Sequence, residues 1–172
     1  MRYFFIAALT MIIAILFFSL NISAKEKTIV KIEADSIHVS KSKKQMTLFQ
    51  NGKSIKTYTI SIGDNETGHK QRQGDNRTPE GLYTINDRNP NSKYYKNLGI
   101  SYPDKNDLIN AKKRKADAGG DIKIHGYSDK YGSVKEKYVR FASTWGCIGV
   151  CNADMEEIYD YVKIGARIFI TP

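Results

Sequence analysis

A two-residue period runs through most of this chain and limits it to a mainly β fold. Tyr58, Ile60 and Ile62 alternate with Thr59 and Ser61, so a strand over 58–62 presents its apolar side chains to one face. Short runs of strand character recur at 36–39, 46–49, 82–85 and 122–125, and a last strand is expected over 167–171. Asn51-Gly52 is a strong hairpin signal, because a tight two-residue turn needs two positions that tolerate positive φ. Residues 63–78 are polar and contain glycine, which predicts a loop, and Thr78-Pro79-Glu80-Gly81 predicts the turn that leads into the next strand. One segment changes period clearly. Met155, Ile158, Tyr159 and Val162 have helical spacing, Asn152 is a candidate cap, Asp154, Glu156 and Glu157 sit near the positive end, and Gly165 is the expected stop. A short second helix is expected around 108–115. The expected fold is mainly β with one or two helices, a sandwich or a barrel-like sheet.

Between these elements, residues 86–120 form a long polar connection carrying Pro90 and Pro103. Connections of this length are usually lids or binding loops, so it is expected to cover a site. Residues 127–137 are a second polar stretch, ahead of 138–147. The chain opens differently: Arg2 is followed by an uncharged run from Tyr3 to Leu20, then by Asn21-Ile22-Ser23-Ala24. A charged start, an apolar stretch and a small final residue predict a secretory signal over 1–24, cut after Ala24. The alternative is an uncleaved anchor, since the run is close to the length that spans a bilayer. On either reading the folded domain, expected over 35–171, works outside the cytoplasm, in the periplasm or cell envelope.

The formal charge is +9, and without Arg2 the exported part holds 26 basic against 18 acidic residues, a balance of +8. Such a balance favours a polyanion: nucleic acid, an anionic membrane face or a carboxylate-rich wall polymer. Export argues against nucleic acid. Apart from Lys112-Lys113-Arg114-Lys115 the basic residues are dispersed, which also suits an ordinary solvated surface. Two cysteines, Cys147 and Cys151, are too few for a disulfide-built exported domain.

Cys147 lies in Ser143-Thr144-Trp145-Gly146-Cys147-Ile148-Gly149-Val150, between strand and helix, with glycine before it. A turn of this kind can hold a side chain clear of the sheet and leave backbone N–H groups near Gly146 and Cys147 for a developing oxyanion. A thiol becomes a nucleophile beside an imidazole. Of the three histidines, His38 falls in the first strand and His69 in a polar loop, whereas His125 ends a strand and precedes Gly126. The competing reading is plain packing, with a buried small thiol and a satisfied histidine.

Ile124-His125-Gly126 followed by Ser143-Thr144-Trp145-Gly146-Cys147-Ile148 resembles the paired motif of the L,D-transpeptidase family, or YkuD domain. Residues 74–83, Gly-Asp-Asn-Arg-Thr-Pro-Glu-Gly-Leu-Tyr, are similar to the family's loop-to-strand segment, and Ile100-Ser101-Tyr102-Pro103 with Asp107 and Ala111 resembles its lid. The resemblance implies that 35–171 is a catalytic domain with Cys147 as nucleophile, His125 as proton donor and acceptor, and the Gly126 carbonyl as orienter of the imidazole. Gly146, Trp145, Thr144 and Tyr127 are then expected around the oxyanion and substrate. It further implies peptidoglycan stem peptides as substrate, with a stem amine or a wall-anchored protein as acceptor, in cell wall biogenesis, and neither cofactor nor metal. A hydrolase on the same scaffold and a non-catalytic wall-binding domain are the rival readings. Contact with the membrane is expected only through a retained anchor.

The sequence departs from the family in three places. Trp145 stands where histidine is common, Gly149 where arginine is common, and Cys151 where serine or threonine is expected. Cys151 reads as an isostere by default, with a disulfide to Cys147 or a metal ligand as alternatives.

Overall fold

Alternation becomes sheet here because every strand contributes its apolar face to the same interior. A computed structural model describes residues 31–128 and 136–172. Strands β1 (Ala34–Ser40), β2 (Gln45–Gln50) and β3 (Lys53–Thr59) form a meander in which Ile37, Val39, Met46, Leu48 and Tyr58 turn inward and are buried. Asn51 and Gly52 both have positive φ, 51° and 74°, as the tight turn between β2 and β3 requires. A two-residue strand β4 (Ile62–Gly63) follows, then a long β5 (Gly81–Ser92) and β6 (Tyr95–Ile100). The remaining elements are α1 (Lys105–Lys113), β7 (Lys123–His125), α2 (Glu136–Val139), β8 (Ser143–Thr144), β9 (Ile148–Gly149), α3 (Asn152–Tyr161) and β10 (Val162–Thr171).

Eight strands make one sheet in the order β3-β2-β1-β10-β5-β6-β7-β9, with β1–β10 and β7–β9 parallel and the other pairs antiparallel. β4 and β8 form a small parallel pair. The sheet curls back on itself. Just beyond β3, at one edge, Ser61 exchanges two backbone hydrogen bonds, 2.8 and 3.0 Å, with Gly149 of β9, at the other edge. The result is a curled half-barrel, as expected for a mainly β chain.

α3 lies over β6 and β10 and buries Met155 and Ile158, three residues apart on one face. α1 is held at its start by reciprocal bonds: Asp107 N–H donates to Asp104 Oδ1 (2.8 Å) and Asp104 N–H to Asp107 Oδ2 (2.9 Å). Asp107 also accepts from the Tyr83 hydroxyl (3.0 Å) and meets His69 Nε2 (2.9 Å), while Glu80 N–H donates to His69 Nδ1 (3.0 Å). One buried carboxylate thus ties α1 to β5 and to the loop before it. His69, read as an isolated loop side chain, is part of this anchor.

Several expectations shift. The connection expected over 86–120 is mostly structured: β5 runs on to Ser92 and returns as β6, and α1 begins at Lys105, earlier than expected. Pro90 does not stop β5, because the ladder to β6 skips from Asn89 to Ser92 and needs no N–H from Pro90. Three helices are present among the described residues, one more than expected; α2 spans the junction of the polar stretch 127–137 and the segment 138–147, and β10 starts at Val162 and so contains Gly165. Asn152 does not cap α3. Cys151 occupies the cap position, without a side-chain bond to the helix backbone. The expected signal or anchor over 1–24 lies outside the described residues, as does most of the polar stretch 127–137. No helix among the described residues is long and apolar enough to cross a membrane.

Candidate active site

Parallel pairing of β7 with β9 places the two candidate residues. Ile124 is opposite Ile148 and His125 opposite Gly149, so Cys147, one residue before β9, falls level with Lys123. His125 lies two residues from Lys123 and therefore shares its face. The intervening Ile124 and Ile148 point into the core and are fully buried. Cys147 and His125 both line a cavity of about 1270 Å³ on the opposite face of the sheet.

His125 is buried, and its Nδ1 lies 2.6 Å from the Gly126 carbonyl. A carbonyl only accepts, so Nδ1 carries the proton in the neutral ring and Nε2 is left as the base. Burial, helped by the Lys123 charge, outweighs the Gly126 carbonyl and holds the imidazole pKa below its ordinary 6.5. The Tyr94 ring covers His125 with centroids 5.0 Å apart. Cys147 is half-buried, and its Sγ lies 3.6 Å from the Asp121 carbonyl oxygen. Burial raises its pKa above 9.0, with Asp121 acting the same way and the Lys123 backbone N–H acting against it. At neutral pH the resting pair is therefore a thiol and a neutral imidazole.

The Gly126-Tyr127 segment that orients His125 is clamped by Asn152, the expected helix cap. Tyr127 N–H donates to Asn152 Oδ1 (2.7 Å), and Asn152 Nδ2 donates to the Tyr127 carbonyl (3.0 Å). Asn152 comes so close that a Cβ at position 126 would sit 2.6 Å from its Oδ1, which accounts for Gly126.

The turn before the nucleophile is closed by Thr144. Its hydroxyl donates to the Cys147 carbonyl (2.7 Å) and accepts from Gly146 N–H (3.1 Å). Thr144 lines the cavity with its hydroxyl bonded inside the turn, and in this structure the Gly146 N–H is directed at that hydroxyl. Glycine is needed at 146 for shape: φ is +123°, and a Cβ would lie 2.8 Å from the Arg77 carbonyl oxygen. Trp145 and Tyr127 also line the cavity, and Trp145 is 83 % exposed at its mouth.

The departure at 149 has a steric cause. A Cβ there would lie 2.3 Å from Ser61 Oγ and 2.6 Å from the Tyr127 hydroxyl, two groups that share a 2.7 Å hydrogen bond. Tyr127 and Ser61 thus occupy the space an arginine would need. Cys151 is a buried thiol that donates to Asp154 Oδ2 (3.1 Å), and no disulfide joins it to Cys147. Lys112, Lys113, Arg114 and Lys115 do not line the cavity. Lys70, Lys93 and Lys123 do, and Lys70 is buried against Asp75 at 2.9 Å. Burial pushes the Asp75 carboxyl up, but backbone N–H groups of Gln71, Arg77 and Arg72 and the Lys70 ammonium bring it down to about 2. Asn89, Asn97, Ser92 and Tyr94 complete one flank of the cavity, and the sequence reading missed them because they lay inside the expected loop.

Residues 34–170 match the family model described as the L,D-transpeptidase catalytic domain, YkuD. The chain is 32% identical over 120 residues to the Escherichia coli K12 protein named "Putative L,D-transpeptidase YafK", covering 69% of this chain and 41% of that one. It therefore spans less than half the length of that relative. Bd1075 of Bdellovibrio bacteriovorus has a similar fold, with 26% identity and a TM-score of 0.56 over 81% of this chain and 48% of that one. The helical cell shape determining protein Pgp2 of Campylobacter jejuni aligns at 24% identity and TM-score 0.58, over 81% and 50% of the two chains. The Enterococcus faecium L,D-transpeptidase C442S mutant aligns at 17% and 0.52, over 81% and 50%, a likeness of fold alone. A family match that runs from the first strand to the last, over a sheet that brings His125 and Cys147 to one cavity, makes this chain a member of the YkuD family of L,D-transpeptidase catalytic domains.

Proposed function

We propose that the chain is an exported L,D-transpeptidase that forms a thioester between Cys147 and a peptidoglycan tetrapeptide stem and passes the acyl group to an amine. The observation that carries this reading is the β7–β9 register, which sets His125 and Cys147 on one face, with Nε2 of His125 left as the base. His125 takes the Cys147 proton as sulfur attacks the carbonyl after the L-configured centre of the diamino acid. The backbone N–H of Cys147 stabilises the oxyanion, with the Gly146 N–H directed at the Thr144 hydroxyl in this structure. His125 then protonates the departing D-alanine amine, and the thioester remains. An acceptor amine, from a second stem or a wall-attached protein, resolves it. Pairing a raised thiol with a lowered imidazole delays thiolate formation until substrate arrives.

Incubating the chain and its Cys147→Ala variant with purified tetrapeptide stems, and following products by mass spectrometry, tests the reading. Loss of D-alanine with a covalent adduct on Cys147, followed by stem dimers, is the expected result. Shortened monomers would assign the hydrolase alternative. An active Cys147→Ala variant, or no adduct on the parent chain, would remove the enzymatic reading. The same function places the domain in the periplasm or cell envelope, which fractionation of cells producing the full chain checks directly.

A further inference from the structure

The cavity face carries a row of side chains that continues past His125. Strand register pairs Asn89 with Asn97, Asn97 with His125, and His125 with Gly149, so these positions lie side by side across β5, β6, β7 and β9. Directly paired residues share a face and stand within contact of one another. Asn97 is only 4% exposed, yet it lines the cavity, and its Oδ1 is buried with no hydrogen-bond partner. Buried carboxamide oxygens are normally paired, so an open one beside the proposed base marks where a donor belongs.

We propose that Asn97 positions the acyl acceptor, its Oδ1 taking one N–H of the amine that attacks the Cys147 thioester. The inference rests on the acyl-transfer reading above. Cys147 adjoins β9 and Asn97 is on β6, so they flank β7 and His125 from opposite sides. The acyl group belongs on the sulfur side, and the amine that gives its proton to His125 belongs between His125 and Asn97. A primary amine has two N–H groups and gives only one to the base, which leaves the second for Asn97. Beyond Asn97 the cavity continues along Asn89, Asn91 and Ser92, space that the residue bearing an amine would fill and a water molecule would not. In the step itself the C–N bond forms as the C–S bond breaks. His125 takes the proton lost by nitrogen and returns it to the Cys147 sulfur, giving amide and thiol with no change of oxidation state.

The test uses the full chain, tetrapeptide stems as donor and glycinamide as acceptor, and compares Asn97→Ala and Asn97→Asp with the parent. Mass spectrometry reads thioester formation and the ratio of aminolysis to hydrolysis. Asn97→Ala is expected to acylate within about twofold of the parent rate, while its aminolysis ratio falls about tenfold through a higher KM for glycinamide. Asn97→Asp keeps an acceptor oxygen and should recover most of that ratio. If thermal melting shows Asn97→Ala to be unfolded, Asn97→Leu, close in volume and lacking the acceptor, replaces it. An unchanged ratio in a folded variant overturns the proposal, and so does a folded variant that no longer acylates, since that would put Asn97 on the acyl side. A parent chain that never forms the thioester would overturn the acyl-transfer reading instead.

Discussion

Two neighbouring rows cross the same four strands and do opposite work. Arg88, Leu98, Ile124 and Ile148 pair across β5, β6, β7 and β9, and the last three are fully buried in the core. One residue over on each strand, Asn89, Asn97, His125 and Gly149 pair in the same order, and the first three border the cavity. The difference shows how this fold supports chemistry. A strand's strict alternation lets a row of isoleucine and leucine fix the position of a polar row directly beside it, with no loop between the rigid part and the reacting part.

That division of labour can be broken at each row. His125→Ala should lower turnover of tetrapeptide stems by about 10² to 10⁴, the usual contribution of a positioned acid–base, while its melting temperature stays close to the parent's. A similar fall in stability would mean that His125 belongs to the core row. Ile124→Ala, one residue earlier and facing the other way, should cost about 2–5 kcal/mol in a denaturant titration, the price of a core cavity. Gly149→Ala sharpens the boundary, since its Cβ must displace Ser61 or Tyr127; about 1–3 kcal/mol is expected, with weaker substrate binding as Tyr127 shifts.

The smallest effect is in the pH dependence. The His125 pKa is held below 6.5 and that of Cys147 above 9.0, and the active free form is thiol plus neutral imidazole. The kcat/KM profile should therefore be flat between those values and fall outside them. A limb falling inside that range would show that His125 or Cys147 titrates on the other side of its ordinary value. For stability the sign is also set. The unfolded chain binds a proton on His125 more readily than the native one, so this contribution is complete above pH 6.5 and is lost as pH falls through the lowered native pKa. His125→Asn should flatten that part of the stability curve.

The two thiols make the same point on a smaller scale. Cys147 reaches the cavity beside His125, whereas Cys151, four residues on, is turned into the start of α3 and bonded to Asp154. Sequence spacing treats them alike. Their surroundings do not.

The meander, the Asn51-Gly52 turn and α3 were legible in the sequence, because each rests on a local signal: alternation, turn chemistry or helical spacing. The β5–β6 hairpin was hidden because asparagine, proline and lysine conceal the period when one strand face borders a polar cavity. The roles of Asn152 and Asn97 were hidden for a related reason. Asn152 bonds backbone groups 25 residues away, and Asn97 gains its place from register with His125. Local alternation and motif chemistry determined which face of each strand is apolar and which two residues carry the proposed reaction. Tertiary structure alone decided which amides are free, what fills the space at Gly149 and what stands beside the base, since those depend on contacts between segments that no local pattern encodes.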